Sequence, residues 1–116
     1  MDEEYRELVL DVVAAIPAGR VMTYGAVADL VGRALRRGGP RQVGTVLRQM
    51  GGGVPWWRVV DAAGHPPAHH RSVALERLRE EGCPLSPDGT RVALASARVT
   101  EVDLPPGARE GPDGLL

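Results

Sequence analysis

The apolar residues in the first half of the chain recur at helical spacing, and this pattern constrains the fold more than any other feature. The first set lies three or four residues apart and comprises Tyr5, Leu8, Val9, Val12, Val13 and Ile16. It predicts an amphipathic helix that ends at Pro17-Ala18-Gly19. A second helix is predicted from Tyr24 to about Val31, because Thr23 can cap it through the side-chain hydroxyl.

A third helix is predicted from Pro40, which suits the first turn because its missing N–H would have no helical partner there. Its apolar stripe, expected in the core, comprises Val43, Val46, Leu47 and Met50. The opposite face comprises Arg41, Gly44, Thr45 and Arg48. Positive charge around two small residues suits close approach to a phosphate backbone, although the same composition is also typical of a solvated surface. With the second helix and the basic loop 32–39, this segment forms a helix-turn-helix pattern.

The rest of the chain predicts short strands and one more helix. The expected extended segments are residues 20–22, 54–60 and 90–94. A fourth helix, capped by Ser72, is expected to run through Glu81 and to stop at Gly82.

The length and composition indicate one domain. A chain of 116 residues can bury a single core, and one cysteine excludes an internal disulfide. We predict a mainly α fold with short strands, of the winged-helix-like helix-turn-helix type, over residues 1–95. The extension 96–116 is expected to be largely disordered from about residue 105, where proline and glycine are frequent.

No apolar run is long enough to cross a membrane, and the acidic N-terminus lacks the basic region of a secretory signal. We therefore expect a cytoplasmic monomer without a membrane partner. His65 and His69 are four residues apart and His70 follows, but Pro66-Pro67 prevents the helix that would align them. Neither a metal site nor a cofactor is predicted.

Positive charge is concentrated in the middle of the chain. The net charge is −1 overall, yet residues 20–58 contain seven arginines and one aspartate, a net charge of +6. The flanking segments are acidic, with −4 over residues 1–19 and −3 over residues 59–116. Such a distribution favours a polyanionic partner.

Aromatic residues are scarce, and half of them stand together. Phenylalanine is absent, and Trp56 and Trp57 follow the flexible run Gly51-Gly52-Gly53. Adjacent tryptophans at such a point serve either as a core anchor or as a binding surface.

Three ordered motifs stand at compatible spacing along the chain. They are Ile16-Pro17-x-Gly19-x-Val21-x-Thr23-Tyr24-Gly25, Arg41-Gln42-Val43-Gly44 and Pro55-x-x-Arg58-Val59-Val60. Together they resemble the DNA-binding domain of the O6-alkylguanine-DNA alkyltransferases, over roughly residues 3–95. In that family the last motif reads Pro-Cys-His-Arg-Val, and its cysteine accepts the alkyl group. With Trp56 at the cysteine position, the chain is identified as a member of the alkyltransferase-like proteins, which resemble the repair enzymes but transfer nothing.

The chemistry of these residues also argues against an enzyme. Alkyl acceptance requires a thiolate activated by a neighbouring base. Trp56 has no nucleophilic atom, Trp57 at the histidine position cannot act as a base, and Cys83 lies outside the motifs. We predict no catalytic residues; alkyl transfer or hydrolysis by another group is the rival hypothesis.

The resemblance implies roles for several residues in binding DNA. Tyr24 would press on the phosphate 3′ to the lesion, Arg41 would fill the gap left by the rotated base, and the third helix would enter the minor groove. The implied DNA-binding residues are Thr23, Tyr24, Arg41, Gly44, Thr45 and Arg48. The implied lesion pocket comprises Tyr24, Trp56, Trp57 and Arg71.

Two choices stay open within that pocket. Trp57 suits core packing and pocket lining equally. The basic residue that distinguishes alkylated guanine in the family corresponds to His69, His70 or Arg71, and Arg71 is preferred.

The resemblance implies a non-enzymatic sensor of O6-alkylguanine in double-stranded DNA. It would rotate the damaged nucleotide out of the stack and flag the site for nucleotide excision repair. Nucleotide excision repair proteins are then expected partners, and the DNA-bound protein is expected at the nucleoid. The alternative is a winged-helix-type DNA-binding regulator without lesion specificity.

Overall fold

Three helices form most of the main core, as their apolar spacing predicts. The computed structural model describes residues 3–104, so the disorder predicted from about residue 105 lies outside the described residues. α1 spans Glu3–Ala14, α2 spans Tyr24–Leu35 and α3 spans Pro40–Met50, and each contacts the other two. Within the described range no helix is long and apolar enough to cross a membrane. The prediction of a mainly α fold with short strands is confirmed.

The core between these helices consists largely of valine. The predicted stripe of α1 is buried, and α2 and α3 contribute Val27, Val31, Val43 and Val46. Met50, predicted to complete the core stripe of α3, is instead 46% exposed. It is the last residue of α3, and the buried position beside it belongs to Gly51, where an added Cβ would lie 3.5 Å from the Cβ atoms of Leu47 and Trp56.

α2 begins where the sequence predicts and ends later than predicted. Thr23 is its N-cap, and Oγ1 accepts a 3.0 Å hydrogen bond from the backbone N–H of the third residue beyond it. The helix extends to Leu35 because that side chain also packs against the core. It closes at Arg36, which has the left-handed backbone conformation with φ 58° and donates its N–H to Gly32 O at 2.7 Å. The loop predicted over 32–39 is correspondingly shorter.

Two short parallel strands join the halves of the chain. β1 (Met22–Thr23) pairs with β2 (Val59–Val60), with Met22 opposite Val59 and Thr23 opposite Val60. Beside β1, the N–H of Val21 donates to Ala97 O at 3.1 Å, and Val21 O accepts from Val99 N at 2.9 Å. The region predicted as extended near residue 21 thus lies at the centre of the fold.

Turns, and not the strand predicted over 54–60, connect α3 to β2. Trp56–Arg58 form a 3-10 turn that is closed by a 3.0 Å hydrogen bond from the N–H of Arg58 to Pro55 O. Pro55 has no N–H to donate to a sheet. Only the final two residues of the predicted strand pair as a strand in the described part of the chain.

α4 (Arg71–Glu80) starts one residue before the predicted N-cap. Ser72 was expected to cap it but lies inside its first turn. The reason is that the 3-10 turn Ala68–His70 runs directly into the helix, so that Arg71 already has helical backbone angles, φ −60° and ψ −45°.

The strand predicted over 90–94 is also absent from the described chain. Val92 makes a single antiparallel bridge to Leu85, and the chain then forms the short helix α5 (Leu94–Ala97). The reason is that Leu94 and Ala97 bury their side chains on one face of a helical turn, in or against a second core cluster.

This second cluster lies beside the strand pair. Its buried members are Val21, Val60, Leu78, Cys83, Val92 and Ala97. After α5 the chain returns to the main core, against which Val99, Val102 and Leu104 pack. These residues belong to the segment 96–116, predicted as an extension, so its first part contributes to the core.

Candidate nucleic-acid interface

The outer face of α3 carries two exposed guanidinium groups around two small residues. The four predicted residues Arg41, Gly44, Thr45 and Arg48 lie on this face, opposite the buried valines. The hydroxyl of Thr45 donates to Arg41 O at 3.1 Å and accepts from Arg48 at 3.2 Å. Neither arginine forms an ion pair with any described residue. Both charges are therefore available to an external anion.

Other arginines of the basic segment are neutralised by the protein itself. The pairs are Arg33 with Glu101 at 2.6 Å, Arg37 with Glu4 at 3.3 Å and Arg58 with Glu81 at 2.6 Å. Because each carboxylate offsets one guanidinium charge, four arginines of the segment keep a charge that can meet a polyanion. Three of them, Arg36, Arg41 and Arg48, lie on α3 or just before it, and the fourth is the exposed Arg20, which donates to Ser96 O at 2.7 Å. This concentration does not follow from the sequence count.

Tyr24 stands beside this face as the first residue of α2. A Cβ added at Gly44 would lie 4.0 Å from Tyr24 Cε1 and 3.7 Å from an Arg48 nitrogen, so the ring, the glycine and the guanidinium are neighbours. Burial raises the pKa of Tyr24, nearby Asp61 raises it further, and Arg48 opposes this. The phenol is thus protonated at neutral pH, when its O–H can donate to a phosphate oxygen.

The parallel register explains why an acidic group lies near Tyr24. Thr23 is opposite Val60 at the last pair of the strands, so the chain continues from there into Tyr24 and Asp61 side by side. Asp61 Oδ1 accepts the N–H groups of Ala63 and His65, each at 2.9 Å, which closes the turn after β2.

Trp56 is half-buried on the 3-10 turn and meets two other rings edge-on. Its centroid lies 5.9 Å from that of Trp57, with an interplanar angle of 86°, and 5.6 Å from that of His70, at 63°. Of the three candidates for the basic pocket residue, His70 is the one in ring contact with Trp56. Arg71 is exposed and donates to Pro66 O at 3.5 Å.

Trp57 is held by the protein interior. Its indole N–H donates to Glu81 Oε2 at 3.0 Å, and its ring packs against the second core cluster. The guanidinium of Arg77 lies over the ring, 4.6 Å from the centroid. Glu81 also binds Arg58, whose other nitrogen donates to Ile16 O at 2.8 Å. The sequence predicts Glu81 only as the end of a helix, since no local pattern distinguishes it from its neighbour Glu80.

Neither the thiol nor the histidines form a reactive or metal-binding group among the described residues. Cys83 is buried, and burial together with the Glu81 carboxylate raises the pKa of its thiol to about 11. Its thiolate is therefore scarce at neutral pH. No group of three metal-binding side chains occurs among residues 3–104. His65 instead lies 3.7 Å from Asp61 within their shared turn.

The arrangement of a basic helix, a tyrosine at the start of the preceding helix and an aromatic turn defines a DNA-binding domain of helix-turn-helix type. The family model of the 6-O-methylguanine DNA methyltransferase, DNA binding domain, matches residues 4–83. The chain belongs to this family, within which it is an alkyltransferase-like member, as the sequence motifs predict.

Curated relatives carry related names. Alkyltransferase-like protein 1 of Schizosaccharomyces pombe is 32% identical over 107 residues, which are 90% of this chain and 93% of that protein. The DNA base-flipping protein of Escherichia coli is 43% identical over 65 residues, or 54% of this chain. That match spans only 48% of the E. coli protein's length.

Two solved structures share the fold. One is S. pombe Atl1 in complex with damaged DNA containing O6-carboxymethylguanine. It has a TM-score of 0.71 and 27% identity, and the match covers 87% of this chain and 99% of that one. The other, S. pombe ATL in complex with DNA, has a TM-score of 0.57 and 36% identity over 72% of this chain and 80% of that one. The fold class predicted from the sequence is thus confirmed.

Proposed function

We propose that this protein is a non-enzymatic reader of O6-alkylguanine in double-stranded DNA. The observation that carries the proposal is the half-buried Trp56 ring, which stands in the turn after the basic helix, where the family motif would supply a reactive cysteine. The relatives named for base flipping, and the related structure bound to alkylated DNA, support it.

Binding would begin on the outer face of α3. Arg41 and Arg48 would neutralise phosphates, and Gly44 and Thr45 would let the helix backbone approach the minor groove. Thr23, whose Oγ1 already accepts the capping hydrogen bond of α2, keeps its hydroxyl proton for a phosphate oxygen. This stage is electrostatic and the same for damaged and undamaged duplexes.

Rotation of the damaged nucleotide would follow from Tyr24 and Arg41. The phenol of Tyr24 would press on the phosphate 3′ to the lesion, and Arg41 would occupy the gap in the stack. Unstacking a base costs a few kcal/mol. Stacking on an aromatic ring returns about 1–3 kcal/mol per base, so contact with Trp56 would offset much of this cost.

The wall of the lesion pocket would be Trp56 with His70 beside it. Arg71 remains the predicted contact that distinguishes alkylated guanine, and His70 is its nearest competitor because it already touches Trp56. No chemistry would follow binding. Trp56 has no nucleophilic atom, and the thiol of Cys83 is buried with a pKa of about 11.

The proposal is tested with matched duplexes that contain either guanine or O6-methylguanine at one position. We expect tighter binding of the lesion duplex in a fluorescence anisotropy titration, and equal affinities would contradict the proposal. Arg41→Ala should reduce this preference, whereas Arg91→Ala, a matched change of an exposed arginine in the turn before α5, should not. Equal affinity together with a defined site recovered from random undamaged duplexes would favour the regulator instead.

We also propose that the bound complex flags the lesion for nucleotide excision repair, and that the protein acts as a cytoplasmic monomer that joins the nucleoid on binding DNA. The support is the family resemblance. In a reconstituted incision assay on the lesion duplex, the protein should raise the incision rate. An unchanged or lower rate would contradict the repair role.

A further inference from the structure

One carboxylate gathers an unusual number of donors next to the proposed pocket. Glu81 Oε1 accepts the N–H of Gly19 at 3.1 Å, and Oε2 accepts the indole N–H of Trp57 at 3.0 Å. The guanidinium of Arg58 donates to the same group through Nε, at 3.0 and 3.2 Å, and through a terminal nitrogen at 2.6 Å. The side chains of Glu81 and Arg58 are only 15% and 16% exposed.

These hydrogen bonds tie three separate segments together. Gly19 belongs to the loop between α1 and β1, Glu81 follows the last residue of α4, and Trp57 and Arg58 belong to the 3-10 turn. Arg58 reaches further, to Ile16 O at 2.8 Å. Hydrogen bonds to charged groups in a partly dry site are about twice as strong as neutral ones. The carboxylate therefore fixes the turn from outside, because a turn of three residues has few bonds of its own.

Trp57 transmits this restraint to Trp56. Its N–H is bonded to Glu81, and its ring is covered by the guanidinium of Arg77, 4.6 Å from the centroid. The ring of Trp56 then rests edge-on against it, with centroids 5.9 Å apart. Trp57 is half-buried, and both its N–H and one face of its ring are occupied by contacts within the protein.

We propose that Glu81 is a positioning residue that sets the Trp56 ring through Trp57, and that Trp57 does not itself contact the rotated base. This assigns Trp57 to one of the two roles that the sequence left open. The inference rests on the proposed function, in which Trp56 is the surface that receives the lesion. Its structural half concerns the free protein and is tested without DNA.

The first measurement uses fluorine NMR of the full chain labelled with 5-fluorotryptophan. The chain contains two tryptophans and hence gives two signals, which Trp57→Phe assigns. Glu81→Gln keeps the size of the side chain but replaces one acceptor oxygen by a donor that faces the other donors. We expect both signals to shift or broaden in Glu81→Gln, and neither to move in Glu80→Gln, the matched change of the exposed neighbour on α4. An unmoved Trp56 signal in Glu81→Gln overturns the inference.

The second measurement separates positioning from general destabilisation. At a temperature where the wild-type protein and Glu81→Gln are both folded, Glu81→Gln should lower the affinity for the O6-methylguanine duplex roughly tenfold and leave the affinity for the guanine duplex unchanged. Equal losses on both duplexes overturn the inference. If Glu81→Gln fails to fold, Trp57→Phe, which removes only the N–H donor and part of the ring, should give a smaller loss of the same selective kind.

A double-mutant comparison tests whether the two residues act in one chain. If Trp57 works through Glu81, the double variant should lose no more lesion affinity than the worse single variant. Losses that multiply would show that Trp57 touches the base independently, and would overturn the inference. A wild-type protein without any lesion preference would refute the proposed function instead, while the fluorine signals would still decide the structural half.

Discussion

The strongest electrostatic prediction concerns which arginines meet the DNA. Binding to duplex DNA releases counterions, and each phosphate neutralised adds about 0.9 to the slope of log affinity against log salt concentration. Arg48 is exposed and has no carboxylate partner among the described residues, whereas Arg33 is paired with Glu101 at 2.6 Å. Replacing either arginine by glutamine removes one positive charge from the basic segment, so the charge count of the sequence predicts the same effect on DNA binding for both changes.

The structure predicts different outcomes for them. Arg48→Gln should make the slope shallower by about 0.9, so its affinity loss relative to wild type is greatest at low salt and shrinks by roughly threefold between 50 and 200 mM. Arg33→Gln should leave the slope unchanged, because its charge is already offset. The assay is anisotropy titration of an undamaged duplex at four or five salt concentrations. A slope change for Arg33→Gln as large as that for Arg48→Gln would refute the assignment of the DNA face.

Three further predictions concern stability and reactivity. Arg36→Gly should stabilise the protein by about 0.5–1 kcal/mol, because the strain that glycine removes at φ 58° exceeds the free energy lost through the greater entropy of the unfolded chain. Calorimetry should show a melting temperature higher by a few degrees, and a lower melting temperature would contradict this prediction. Cys83, with a thiol pKa of about 11, should resist iodoacetamide at pH 7.5 in the native state and react after unfolding. Rapid labelling of the native protein would contradict the burial of this thiol. Burial raises the pKa of Glu81, but the hydrogen bonds from Arg58, Gly19 and Trp57 outweigh this and hold the pKa below its ordinary value. The carboxylate therefore stabilises the fold at neutral pH, and this stabilisation is lost as the pH falls through the lowered pKa. The difference in urea stability between wild type and Glu81→Gln should be largest near pH 7 and shrink near pH 3, and a difference that does not depend on pH would contradict this account.

The helical part of the fold follows from the sequence because its signals are local. Apolar spacing places α1 and α3, and the hydroxyl of Thr23 and the ring of Pro40 mark where α2 and α3 begin. The prediction of a strand over 54–60 is wrong, and the reason is physical. A run rich in Val and Trp is also compatible with a turn, and Pro55 together with tertiary contacts to Glu81 decides for the turn.

In the candidate site, too, features carried by local motifs can be predicted from the sequence, whereas contacts between separate segments cannot. Roles for motif positions such as Tyr24 and Arg41 can be predicted from the sequence, because these residues stand in ordered motifs, and they stay predictions. The contacts of Glu81 could not be predicted, and His70 could be named only as one of three candidates, since each residue reaches the Trp56–Trp57 pair only through the folding together of separate segments. The neutralisation of Arg33 by Glu101, 68 residues away in sequence, was invisible for the same reason.

The central claim, rotation of the alkylated base towards Trp56, is tested most directly by a fluorescent base. Pyrrolocytosine placed opposite O6-methylguanine is quenched while it is stacked and paired, and brightens when its partner leaves the helix. Titration with the protein should raise its fluorescence with O6-methylguanine as the partner and leave it nearly unchanged with guanine. Saturated binding of the lesion duplex without any rise would contradict the claim.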